Sequence, residues 1–145
     1  MLPNRHWVLV PALAAMLLLP ASAPAATGMQ PGLWELTMTV EVSGKLETVP
    51  TSRECVSQSD VDHATKTLPR PDGACTLSNI LRSAERATYQ IACTQGALTT
   101  RGNAEILYAG DRYDGKVALT VSEKNRAGMA LAMTINAKRV GDCTK

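Results

Sequence analysis

The stretch "CTLSNILRSAERATYQIAC", residues 75–93, decides the fold. Apolar and polar residues alternate along both of its halves, the period of a half-buried strand rather than a helix. Around "RSAE" the segments 75–82 and 86–93 fold into a hairpin. One register sets Leu77 opposite Ile91, Asn79 opposite Tyr89 and Leu81 opposite Ala87, and it also sets Cys75 opposite Cys93. Facing strand residues have Cα atoms about 4.5–5.5 Å apart, inside the reach of a disulfide. The hydrophobic pattern and the cysteine pair choose the same register. That bridge leaves Cys55 to join Cys143.

Downstream the same test works again. Around "AGDR", Ile106 falls opposite Gly115, Ala104 opposite Val117 and Gly102 opposite Leu119. Across "SEKNRAG", Val121 meets Met129, Leu119 meets Leu131 and Val117 meets Met133. Strands over 97–108, 113–122 and 129–140 therefore form an antiparallel meander. Upstream, Trp34, Leu36, Met38, Val40 and Val42 alternate with Glu35, Thr37, Thr39 and Glu41. "SGK" turns the chain into a weaker strand near 46–55, and Pro50, which lacks an N–H, makes it an edge or irregular strand. "SQSDVDHATKTL" reads as a short helix with Ser57 or Ser59 as N-cap and Val61, Ala64 and Leu68 at helical spacing. "PRPDG" breaks it. The expected class is all-β: an up-and-down antiparallel meander of about seven strands, a small barrel or strongly curled sheet, with one short helix and two disulfides. A two-sheet sandwich is the runner-up.

Residues 1–25 read as a secretory signal peptide. "MLPNRH" carries Arg5, "WVLVPALAAMLLL" is an apolar run, and Ala23 and Ala25 supply the small residues before a cut. The run is about 13 residues, short of the roughly 20 that span a bilayer, so no stable membrane anchor is expected. Residues 26–145 then form one β domain, periplasmic or secreted and expected to be monomeric. Losing the leader, with one Arg and no acid, lowers the formal charge from +2 to +1. So small a charge gives no pull on nucleic acid. Four cysteines without a C-x-x-C pair suit disulfides in an oxidising compartment rather than a metal knuckle.

The chemistry-bearing residues are sparse. His63 is the only histidine after the leader, and no nucleophile elbow, P-loop, H-E-x-x-H or dinucleotide fingerprint occurs. No enzyme activity, metal or cofactor is expected. Asp60 and His63 share a helix face, but acids at that place read as a solvated helix start. "DRYDG" reads as a hairpin turn. The inward face is more informative: Met38, Met129 and Met133 stand among small residues, and methionine adapts to irregular apolar ligands. Asn79 and Tyr89, cross-strand partners in the register above, would add polar contacts to such a pocket or simply satisfy each other. The leading expectation is a non-enzymatic binding or accessory protein holding a small apolar ligand inside the barrel. The alternative is an interaction or inhibitor module, with a filled core, that docks on an envelope protein. An empty apolar cavity would favour the first, a filled interior with an exposed apolar patch the second.

"GLWE" (Gly32 to Glu35) is similar to the G-x-W pattern that opens lipocalins and related calycin barrels. There an Arg near the end of the last strand packs over the Trp. Arg139 falls on the matching inward phase, which implies barrel closure by a Trp34–Arg139 cation–π contact. Over nearly all the mature chain, the order "PGLWE", "ECVSQSD", "CTLSNI", "YQIAC", "YAGDRYDG" and "RVGDC" resembles the bacterial family numbered domain of unknown function 3617. The resemblance implies an exported protein of a Gram-negative bacterium and supports the four-cysteine framework. It carries no catalytic residue to transfer. Members often have a Met- and Pro-rich second segment, where this chain has the shorter "SGKLETVPTSR".

Overall fold

The computed structural model of the chain describes residues 27–69, 73–124 and 126–144. The leader, 1–25, lies outside the described residues. Seven strands follow in chain order: β1 (Gly32–Val42), β2 (Lys45–Val56), β3 (Cys75–Arg82), β4 (Arg86–Gln95), β5 (Leu98–Tyr108), β6 (Arg112–Glu123) and β7 (Met129–Gly141). One short helix, α1 (Gln58–His63), stands between β2 and β3. The strands make a single antiparallel sheet in the order β2-β1-β7-β6-β5-β4-β3. The sheet is strongly curled but not closed: β2 and β3 are its two edges.

Paired residues on neighbouring strands point to the same face, so the register sorts the sheet into rows. One inward row runs Tyr89, Ala104, Val117, Met133, Val40. The next runs Ala87, Ile106, Gly115, Ile135, Met38, and beyond it Tyr108, Tyr113, Ala137, Leu36. The expected meander pairings, Ile106 with Gly115, Val117 with Met133 and Val121 with Met129 among them, all occur. Alternation dictated this: an inward phase of apolar residues can be buried only if every strand keeps step.

Burial is concentrated at one end of the sheet. There Trp34, Val56, Ile106, Tyr108 and Tyr113 form the main cluster with Val61 from α1 and Met29 from the segment before β1. That segment is tied down by backbone bonds. Thr27 N–H donates to Val61 O (3.3 Å), Gly28 N–H to Ala84 O (2.6 Å) and Gln30 N–H to Gly110 O (3.0 Å). Gly28 is required by its neighbour, since a Cβ there would lie 2.4 Å from the Ala84 carbonyl oxygen. The small inward residues draw neighbours together. A Cβ on Gly115 would lie 2.9 Å from Ile106 Cδ1 and 3.3 Å from Ile135 Cβ, so its two row partners occupy the space. The interior is filled there.

α1 begins at Ser57, the N-cap, in a capping box with Asp60. It stops early, because Ala64 takes a left-handed conformation (φ 56) and its N–H turns back to Asp60 and Val61 carbonyls. Val61 and Ala64 are buried as their spacing implied, and Leu68 packs against both core clusters beyond the helix. Six antiparallel steps separate β2 from β3, so the two edges run the same way. The connection after β2 must therefore return along the length of the sheet.

One expected register fails. Cys75, Thr76, Leu77 and Ser78 pair with Cys93, Ala92, Ile91 and Gln90, but then the ladder shifts: Leu81 faces Thr88 and Arg82 faces Ala87. Asn79 does not face Tyr89, and Leu81 does not face Ala87. The cause is a bulge at Asn79, whose φ is +50. An extra residue in one strand reverses the sidedness of all that follow. Leu81 thus turns outward, 71% exposed, and Arg82 turns inward. The β2 edge also carries a bulge, opposite Leu36–Met38 and beside Pro50. A bulge at each edge, with Pro50 in β2, discourages pairing with other chains.

Candidate functional site

Both expected disulfides form, at opposite ends of the sheet. Cys75–Cys93 joins directly facing residues with Cα atoms 4.0 Å apart. Cys55–Cys143 ties the end of β2 to the chain beyond β7, with Cα atoms 5.5 Å apart. No described cysteine is free.

The G-x-W corner lies at the packed end. Trp34 is Arg139's partner across β1 and β7. The indole N–H donates to Gln30 O (3.0 Å), and the ring packs on Tyr113 at a centroid distance of 5.6 Å. Arg139 takes a different place from the one expected. Its Nε donates to Pro31 O (2.8 Å), its Nη2 pairs with Asp142, and its guanidinium passes over Gly32 rather than the indole face. Gly32 is the residue that permits this: a Cβ would meet Arg139 Nε at 2.5 Å, and φ is +147. The arginine clamps the backbone before β1 to the end of β7.

Titratable groups here serve structure. Burial raises the Tyr113 hydroxyl well above the ordinary phenol value, and the nearby Glu54 and Tyr108 add to it. Burial likewise raises Tyr108, whose hydroxyl is 2.8 Å from Thr67 Oγ1, and Tyr89. Asp60 goes the other way, held down to about 2 by hydrogen bonds from the Thr65 hydroxyl and from the Ser57 N–H and hydroxyl. That carboxylate caps a helix and braces a turn. His63 Nδ1 lies 2.9 Å from Ser59 O on the exposed side of α1. Among the described residues no group of three His, Cys, Asp or Glu side chains could hold a metal.

Of the five residues expected to line a ligand pocket, Asn79, Tyr89 and Met133 border one depression, described below, and Met38 and Met129 do not. Met38, Tyr89 and Met133 lie in inward rows, Tyr89 buried and both methionines half-buried. Met129 begins β7 at the open end of the inward face, 43% exposed. Asn79 is on the other face, where its Nδ2 donates to Gln90 Oε1 (2.6 Å). The bulge removed it from Tyr89's side.

Two depressions open instead on the face turned away from the core. Their volumes are about 740 and 630 Å³, and Gln90, Asn103, Ala118 and Ala132 border both. Those four form one register row across β4, β5, β6 and β7. The sequence pattern singles out none of the four. The signal present was the exposed Ala118, Ala130 and Ala132, small where long polar chains commonly stand on an outer face.

A curled antiparallel meander, clamped by a disulfide at each end and opened by a G-x-W corner, defines a class of small disulfide-braced β domain. The chain belongs to the family described as "Protein of unknown function (DUF3617)", which matches residues 29–143. No curated protein and no solved structure matches it. The lipocalin likeness is carried by the Trp34 corner alone.

Proposed function

We propose that this chain is a non-enzymatic accessory protein of the bacterial envelope that acts by binding, and that its partner engages an open surface of the sheet rather than an enclosed interior. The observation that carries this is the contrast between a filled core and two large depressions on the opposite face. The two disulfides favour an oxidising compartment, and with the leader they support the periplasm. The capping role of Asp60 and the exposed place of His63 leave the expected absence of catalysis as the simplest account. Nothing in the charge suggests nucleic acid, and bulged edges favour a monomer.

The small apolar ligand stays as a second reading, moved to the open end. Leu98, 46% exposed, and Met129, 43% exposed, lie there beside half-buried Leu119 and Leu131 on the inward face. An apolar molecule could cover that rim. Native mass spectrometry of protein taken from the periplasm tests both. The expected species is the chain cut after Ala25, oxidised at all four cysteines, with a bound companion; a bare polypeptide mass, or a cytosolic and reduced chain, would overturn the proposal.

A further inference from the structure

We infer that the outer face of β4–β7 carries a site for a short, neutral oligosaccharide; this rests on the reading of the chain as a binding protein. The two depressions share a floor, so they form one trough across four strands. Three inter-strand spacings of about 4.8 Å make it about 14 Å across, the span of about three sugar rings. Ala118 and Ala132 form a low floor that lets a ligand approach the backbone. Gln90 and Asn103 supply amides that both donate and accept. The bulge at Asn79 contributes directly, because its amide holds that of Gln90 in one orientation.

Chemistry narrows the ligand class. The charged groups at the rim are Glu41, Arg86, Arg101, Glu105 and Lys116, of mixed sign, and Arg86 pairs with Glu105 at 2.7 Å. Such a rim gives little net attraction for an ion. The large apolar side chains bordering the trough, Tyr89, Ile91, Val117, Leu119, Leu131 and Met133, belong to inward rows, so the apolar surface offered on this face is the alanine floor with Leu81 at its rim, on which the C–H faces of sugar rings can lie. An extended peptide would need unpaired backbone groups, yet β4–β7 are interior strands bonded on both sides. A neutral molecule rich in hydroxyls needs only side-chain donors and acceptors over a low floor. That is what this face offers.

The test is an NMR titration of isotope-labelled, disulfide-intact protein with maltotriose, cellotriose and tri-N-acetylchitotriose, each at millimolar concentration. At least one should move the amide resonances of Gln90, Asn103, Ala118 and Ala132. Ala132→Arg should weaken that binding about tenfold or more. Gln90→Ala, which adds no bulk, should weaken it too, while Leu98→Ala on the other face leaves it unchanged. No response to all three sugars, responses confined to Leu119 and Leu131, or binding indifferent to Ala132→Arg would each overturn the site. If the sugars fail while another companion co-purifies with the protein, the trough proposal falls and the binding role stands.

Discussion

The two ends of the sheet are built differently. At the Trp34 end, α1, the segment before β1, and the β3–β4 and β5–β6 turns all converge on a cluster of aromatic and aliphatic side chains. At the Met129 end, the inward rows still carry Leu119, Val121 and Leu131, yet Leu98 and Met129 stay exposed and Leu119 and Leu131 are only half-covered. The difference lies in the aromatic residues of β1, β5 and β6 and in the chain that covers them. Alternation makes a face; only chain crossing it makes a core.

The largest effect should come from undoing the packed end. Replacing Cys55 and Cys143 with alanine opens a bridge of sequence separation 88, and the chain-entropy model predicts a loss of about 4–5 kcal/mol in denaturant unfolding. Trp34→Ala should cost about 3–5 kcal/mol by cavity formation, with calorimetry as the check. Replacing Cys75 and Cys93, whose separation is 18, should cost about 3 kcal/mol. If that second bridge proved the stronger, the open end would be more constrained than its exposure implies.

Acid should act on the packed end as well. Asp60 is held near 2 against an ordinary 3.8, so its ionised form favours the folded state. That contribution is present above pH 3.8 and is lost as the pH falls toward 2. Unfolding midpoints across this window should fall for the native chain and change less for Asp60→Asn. The smallest effect belongs to the open end: Met129→Ala should shift stability by no more than about 1 kcal/mol. A larger loss would show that its rim is packed in solution.

Most of the strand framework was legible because alternation and cysteine position constrain the same registers. Cys75 opposite Cys93, Ile106 opposite Gly115 and Leu119 opposite Leu131 follow from the residues alone. The bulge did not, since arithmetic pairing presumes one residue per step. Its one trace was Asn79, a residue that tolerates the left-handed region better than its neighbours Ser78 and Ile80. The early stop of α1 was hidden as well, because Ala64 is a strong helix former placed in a left-handed cap. Trp34 and Arg139 were rightly placed as neighbours, yet the cation's position was set by the Pro31 carbonyl and Gly32. The trough escaped notice because small outward residues carry no pattern until strands are laid side by side.

In the sheet, β1 lies between β2 and β7, so the earliest strand is completed by the latest. Contacts so distant along the chain form slowly. During folding the β1–β2 hairpin has one edge open until β7 docks on β1, and the thiol of Cys55 waits with it for Cys143. Until Cys143 arrives, Cys75 and Cys93 are the other thiols within reach along the chain, so the order in which strands assemble bears on which bridge forms first.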